Sequence, residues 1–270
     1  MRASGGFMPR LLAIPALVAL ALLVVPLAAL VARVDWQAFP GDVASAEALA
    51  ALRLSLTTAA AATAVCVVLG VPLALLIARS GSRTAALLRA AVTIPLVLPP
   101  MVGGVALLFL FGRTGWLGGL LADAGMRLPF TTTAVIIAQT FVAMPFLVLA
   151  LEGALRSTGV GYERTAASLG AGRWRILLRV TLPLAAPGLV TGTVLCFARA
   201  IGEFGATALF AGNAPGVTQT MPLAIYTAFN GAGVTVSTAV ALSLLLLATA
   251  ALVLLLVRAW RPGSVAREAS

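Results

Sequence analysis

Long apolar runs cut by short polar stretches set the pattern of this chain. A helix that crosses a bilayer needs roughly 20 apolar residues in succession. Runs of that order cover residues 11–32, 53–78, 90–111, 132–155, 182–201 and 234–257. The pattern predicts an all-α integral membrane protein of six transmembrane helices in one domain, residues 1–270. The first run follows Arg2 and Arg10, as a signal peptide would. Its length exceeds the roughly 7–15-residue apolar core of a signal peptide, so it is expected to be an uncleaved first helix. The third run is expected to open with Pro95 and the pair Pro99-Pro100.

Charge orients the bundle. All 18 basic residues are arginine. Six spans would divide them thirteen to five between the two faces, with the larger set around Arg79–Arg89, Arg156–Arg179 and the two ends of the chain. Arginine-rich loops stay in the cytoplasm, so both termini are expected there. The loops expected outside are residues 33–52, 112–131 and 202–233.

Composition removes other classes. The chain is 61% hydrophobic and 10% charged, whereas a soluble domain carries roughly 25% charged residues to cover its wet surface. The formal charge of +10 does not point to nucleic acid, because the arginines sit at the ends of apolar runs, where topology places them. There is no histidine, and Cys66 and Cys196 both lie in apolar runs. Ser-His-Asp and Cys-His chemistry are therefore excluded, and no metal-ligand spacing is visible. A phosphate loop of the Walker type needs a lysine that this chain lacks.

Two polar segments carry information beyond topology. The first, residues 156–181, is too polar to span and too patterned for a linker. Helix-compatible residues run from Tyr162 to Leu169, and Gly170-Ala171-Gly172 permits a turn. A second short amphipathic stretch follows with Trp174, Ile176, Leu177 and Val180, and Pro183 is expected to mark entry into the fifth helix. By pattern alone this is either an interfacial helix with arginines in lipid headgroups or a docking helix pair for a cytoplasmic partner. In the second segment, Arg199 and Glu203 stand four apart, so on a helix they share a face. Opposite charges at that spacing compensate each other in a bilayer, either as a structural ion pair or as a pair lining a substrate path. Beyond them come Gly205, Gly212, Asn213, Pro215 and Gly216, then Thr218, Gln219 and Thr220, neutral donors suited to an oxyanion.

The first segment resembles the signature loop of ABC-importer permeases, in Ala166, Gly170, Val180, Leu182 and Pro183. It departs from that signature where the usual glutamate position holds Arg164, with Glu163 one residue earlier. The resemblance implies a type I ABC importer permease fold and a coupling helix seated on an ATPase subunit. Residues implied in that role are Glu163, Arg164, Ala166, Ala167, Gly170, Ala171, Val180, Leu182 and Pro183. The second segment is similar to the molybdate/sulfate permeases in Arg199, Ala200, Gly202, Glu203, Phe204, Gly205, Gly212, Asn213, Pro215 and Gly216. Pro95 to Pro100 and Gly112 to Gly118 agree with the same family. Thr218 to Thr220 and Pro222 to Tyr226 lean toward its molybdate branch.

What the resemblance implies is a non-catalytic permease subunit of an ATP-driven importer of molybdate, or tungstate, in a bacterial inner membrane. Its expected partners are a second copy of itself, two cytoplasmic ATPase subunits that bind ATP and magnesium, and an extracytoplasmic oxyanion-binding protein. No cofactor is expected on this chain. Arg199, Glu203, Gly205, Asn213, Thr218, Gln219 and Thr220 are the expected path or gate residues. Sulfate or thiosulfate import is the alternative within the family. More remote are a proton-coupled carrier and a membrane-embedded enzyme using Asp35, Asp42 and Glu47.

Overall fold

The computed structural model describes residues 10–259. Arg2, Arg261 and Arg267, which enter the charge argument for the termini, lie outside the described residues. The described chain is all-helical. Its helices are α1 (Arg10–Ala32), α2 (Phe39–Ala44), α3 (Ala46–Arg79), α4 (Ser82–Val97), α5 (Pro100–Phe111), α6 (Trp116–Asp123), α7 (Thr132–Thr158), α8 (Gly161–Ser168), α9 (Arg173–Ile176), α10 (Leu182–Ile201), α11 (Gly205–Phe210), α12 (Met221–Phe229) and α13 (Val236–Ala259), with a π-turn at Leu177–Thr181 between α9 and α10.

Four stretches are long and apolar enough to cross a membrane: Leu12–Ala32, Ala46–Arg79, Thr132–Thr158 and Arg173–Ile201. Helices α4 and α5 make a fifth if they count as one broken span. This corrects the single helix expected at 90–111, because the two meet at a bend of 111°. The cause is the Pro99-Pro100 pair. A residue before proline is pushed out of the α region, and both Leu98 (ψ 137°) and Pro99 (ψ 133°) are extended. The prolines form the elbow rather than the opening of a span. The second run also starts earlier than expected, at Ala46, where the Ser45 hydroxyl accepts from the Ala48 amide. Arg53 therefore lies within a helix.

Helix α7 is the centre of the bundle. Its apolar window is 61% buried, against 33% for α3 and none for α1. Helix α3 lies on it through Ala59, Ala62, Cys66, Gly70 and Ala74, all buried. Helix α10 does so through Gly188, Gly192 and Cys196. Small residues four apart let helix backbones approach in a membrane, where lipid gives apolar side chains no reason to cluster. A Cβ on Gly70 would stand 2.9 Å from Leu147 Cδ2, and one on Gly192 3.0 Å from the Leu147 carbonyl.

The acidic residues near α2 are structural. Asp35 accepts from the Gln37 and Ala38 amides. Asp42 accepts from the Ser237 and Thr238 hydroxyls, pinning α2 to the first turn of α13. Asp35 and Asp42 each serve a local backbone or helix end, which removes the grouping that the enzyme alternative needed.

Candidate functional site

The segment after α7 folds into an elbow. Helix α7 continues to Thr158, so the expected loop begins about three residues later than position 156. Helix α8 follows, then Gly170 turns the chain at φ +82°. Nothing lies within 4 Å of a Cβ built there, so backbone conformation alone asks for glycine. The second amphipathic stretch does not stand apart from the fifth helix. Chain from Arg173 to Ile201 runs on continuously through the π-turn. Pro183 causes the widening: it has no N–H to continue the ladder, and π-turns absorb such a defect. Leu182 and Pro183 therefore lie inside a continuous helix, just after the turn that ends at Thr181.

The elbow displays Tyr162, Leu169 and Trp174, exposed by 65%, 83% and 76%. Arg164, Ala167, Gly170 and Arg173 are exposed beside them, while Ala166, Ala171 and Val180 are half-buried. Glu163 turns the other way. It pairs with Arg79 at the end of α3 and accepts from the Thr181 hydroxyl at 2.8 Å.

A second ionic cluster at the same arginine-rich end was not foreseen. Glu152 on α7 is 3% exposed. Arg89 of α4 binds it through Nη2 at 2.5 Å and Nε at 3.2 Å, and Arg156 binds it through Nε at 2.6 Å. The Glu152–Arg156 spacing of four could have flagged this site; Arg89, 63 residues away, carries no local signal.

At the far end, Arg199 and Glu203 pair, Nη2 to Oε2 at 2.6 Å, although α10 ends at Ile201 and Glu203 lies just past it rather than on the same helix. Glu203 is 1% exposed and also accepts from the Ala206 amide at 2.8 Å. The Arg199 side chain keeps 26% of its surface exposed. Gly205 opens α11 directly against the proline elbow, where a Cβ would stand 2.8 Å from Pro100 Cβ and 3.2 Å from the Met101 amide. The Pro99-Pro100 and Arg199–Gly205 segments, read separately in the sequence, are thus two halves of one packed corner.

The remaining path candidates take varied places. The Asn213 amide donates to the Thr227 hydroxyl at 2.7 Å. Thr218 is buried and accepts from the Ala214 amide at 2.8 Å, closing its own loop. Gln219 is 9% exposed. Thr220 is fully buried at the start of α12, where the Met221 amide donates to Ser55 at 2.7 Å. Among the described residues, the Thr220 hydroxyl has no partner, nor do those of Thr140 and Thr207, nor either amide atom of Gln139. Along the chain, Gln139 and Glu203 each lie between residues of two core clusters. One holds Ala143, Ala200 and Ile201; the other holds Val135, Ala138, Ala206 and Phe210. Buried polar groups without partners are uncommon in folded proteins. Sequence reading missed Gln139, whose one signal is an amide within an apolar run.

Comparison with known proteins places this geometry. Residues 70–262 match the family model described as "Binding-protein-dependent transport system inner membrane component". The chain is 50% identical over 256 residues to the molybdenum transport system permease protein ModB of Mycobacterium tuberculosis, covering 94% of this chain and 96% of that one. It is 42% identical over 178 residues to ModB of Escherichia coli K12, covering 66% of this chain and 78% of the relative. Among solved structures it resembles a bacterial alginate ABC transporter at 18% identity, with TM-score 0.68 over 92% of this chain and 91% of that one. It also resembles the MetNI methionine ABC transporter at 22% identity, with TM-score 0.59 over 77% of this chain and 94% of that one.

Proposed function

The chain belongs to the binding-protein-dependent transport system inner membrane components, and on that premise we propose that it is the permease subunit of an ATP-driven molybdate importer. The observation that carries the substrate is the 50% identity to a molybdenum permease over nearly the whole of both chains. Tungstate, a tetrahedral dianion like molybdate, is a second expected cargo. The bundle has six spans, counting the broken α4–α5 pair as one and α13 as the last, with both termini on the cytoplasmic side. Two copies form the pathway, two ATPase chains bind ATP and magnesium inside, and a molybdate-binding protein delivers the anion outside. The chain itself carries no catalytic step.

The elbow around Gly170 is the ATPase-docking element. Its support is an exposed apolar group of Tyr162, Leu169 and Trp174 beside Arg164 and Arg173, the composition of a surface awaiting a protein partner. Glu163, held inward by Arg79, serves the permease side of that element.

Arg199 is the cationic contact of the anion path, and Glu203 positions it. A lone cation would hold a dianion strongly in a low-dielectric path and stop its release. Paired with Glu203, Arg199 is neutralised but retains N–H donors on its exposed edge. That suits a route that must guide an anion without keeping it. The buried groups of Gln139, Thr207 and Thr220 that lack partners among the described residues are further neutral polar groups for this route, and Gly205, Asn213, Thr218 and Gln219 belong to the segment that follows Glu203.

Purification of the assembled complex tests this reading. One kind of permease chain with its ATPase in equal number is expected. A second, different permease chain in the complex contradicts the homodimer and moves the assignment to the sulfate type.

A further inference from the structure

Glu163 occupies an unusual position in the elbow. Helix α8 packs mainly on α9 and the π-turn, the two pieces that follow it in the chain. Among the described residues, only two side-chain hydrogen bonds leave α8, and both end on Glu163 Oε1. One comes from Arg79, the last residue of the 34-residue helix α3. The other comes from Thr181, the last residue of the π-turn and 7% exposed. A single carboxylate oxygen therefore ties α8 to α3 and to the start of α10. Those two helices are the ones that pack along α7 through small residues. Packing on the π-turn runs beside the bond to Thr181, whereas α3 is not among the main elements that α8 packs on, so Arg79 is its chief tie to α3. Beside it lies a cavity of about 460 Å³, lined by Leu75, Arg79, Glu163, Ile176, Leu177 and Thr181 among others.

We infer that Glu163 is a transmission pin: it converts displacement of α8 into movement of α3 and α10 through Arg79 and Thr181. The inference rests on the docking role assigned above to the elbow. A charge-assisted hydrogen bond holds direction as well as distance, so it can pass both a push and a pull. The π-turn suits this function, since its strained hydrogen bonding offers a place where α10 can rewind. Arg164, the exposed neighbour, cannot substitute, because it bears the wrong charge for Arg79.

The test uses the complete transporter in proteoliposomes, with its ATPase and binding protein, and reads molybdate accumulated per ATP hydrolysed. ATPase retention during purification is read separately. Glu163→Gln and Arg79→Glu should each keep the ATPase yet lower the transport-to-hydrolysis ratio at least about fivefold, the scale of a modest coupling energy. The exchange Arg79→Glu with Glu163→Arg should restore the ratio to within about twofold, as a double-mutant cycle requires of a direct pair. Thr181→Val, which removes one of the two bonds, should give an intermediate ratio and controls for misfolding. An unchanged ratio in Glu163→Gln overturns the pin. So does an exchange variant no better than the single ones, or loss of the ATPase in Glu163→Gln, which would make Glu163 a docking contact. Failure of the docking role itself reads differently: Leu169→Ala with Trp174→Ala would then retain the ATPase fully.

Discussion

Glu152 and Glu203 are both buried glutamates with an arginine four positions away, yet they are used differently. Glu203, in the link between α10 and α11, bonds only to residues close in sequence, Arg199 of α10 and the Ala206 amide of α11. Glu152 reaches out of its helix to Arg89 on α4 while Arg156 covers its other side. The local pair joins only consecutive helices and leaves an arginine edge exposed. The cross-helix cluster fastens α4 to the central helix. On the proposed reading, Glu203 positions Arg199 toward a passing anion, and Glu152 holds the frame.

Removing the frame carboxylate should have the largest effect. Glu152→Ala unties α4 from the central helix, empties a buried site and leaves Arg89 and Arg156, both nearly half exposed, without the carboxylate they share. We expect a fall in melting temperature of roughly 5 °C or more in detergent, with lower yield. Wild-type stability in that variant would erase the distinction drawn here. Gly170→Val comes next. A β-branched residue resists the left-handed backbone at φ +82°. Uptake should fall about tenfold while insertion is unchanged, because only the docking turn is strained. Full uptake by this variant would remove the elbow from the coupling route.

Glu203→Gln sharpens the comparison most. The amide keeps the shape and can still accept from Ala206, but it no longer neutralises Arg199. Uptake should drop about fivefold or more, with the melting temperature within about 2 °C of wild type, the reverse of the Glu152 pattern. A lowered melting temperature with normal uptake would make Glu203 a frame residue too. The smallest effect is expected from Asp42→Ala, which frees α2 from Ser237 and Thr238 at a half-buried site near the end of the bundle. Loss of such a helix-end contact costs about 1 kcal/mol, read as a small shift in melting temperature without loss of transport.

The same contrast explains what the sequence could reveal. Apolar length made the spans legible, and the short spacing made Arg199–Glu203 legible, because both are local along the chain even though Glu203 lies just past the end of α10. The turn at Gly170 was visible for the same reason. The 111° elbow was written in Pro99-Pro100, but its effect depends on α11 packing at Gly205 and Ala206, which no local pattern announces. The partners of Glu163 and Glu152 were hidden because Arg79 and Arg89 lie 84 and 63 residues away. Hydropathy also failed to rank helices by burial. Helix α1 is more apolar than α7, but α7 is the one that meets the glycine- and alanine-lined faces of its neighbours.

Uptake of labelled molybdate against labelled sulfate, in proteoliposomes holding this chain with its ATPase and binding protein, tests the central claim most directly. The account predicts accumulation of molybdate that requires ATP inside the ATPase compartment and is little reduced by equal sulfate. Accumulation driven by a proton gradient without the ATPase, or preference for sulfate, would contradict it.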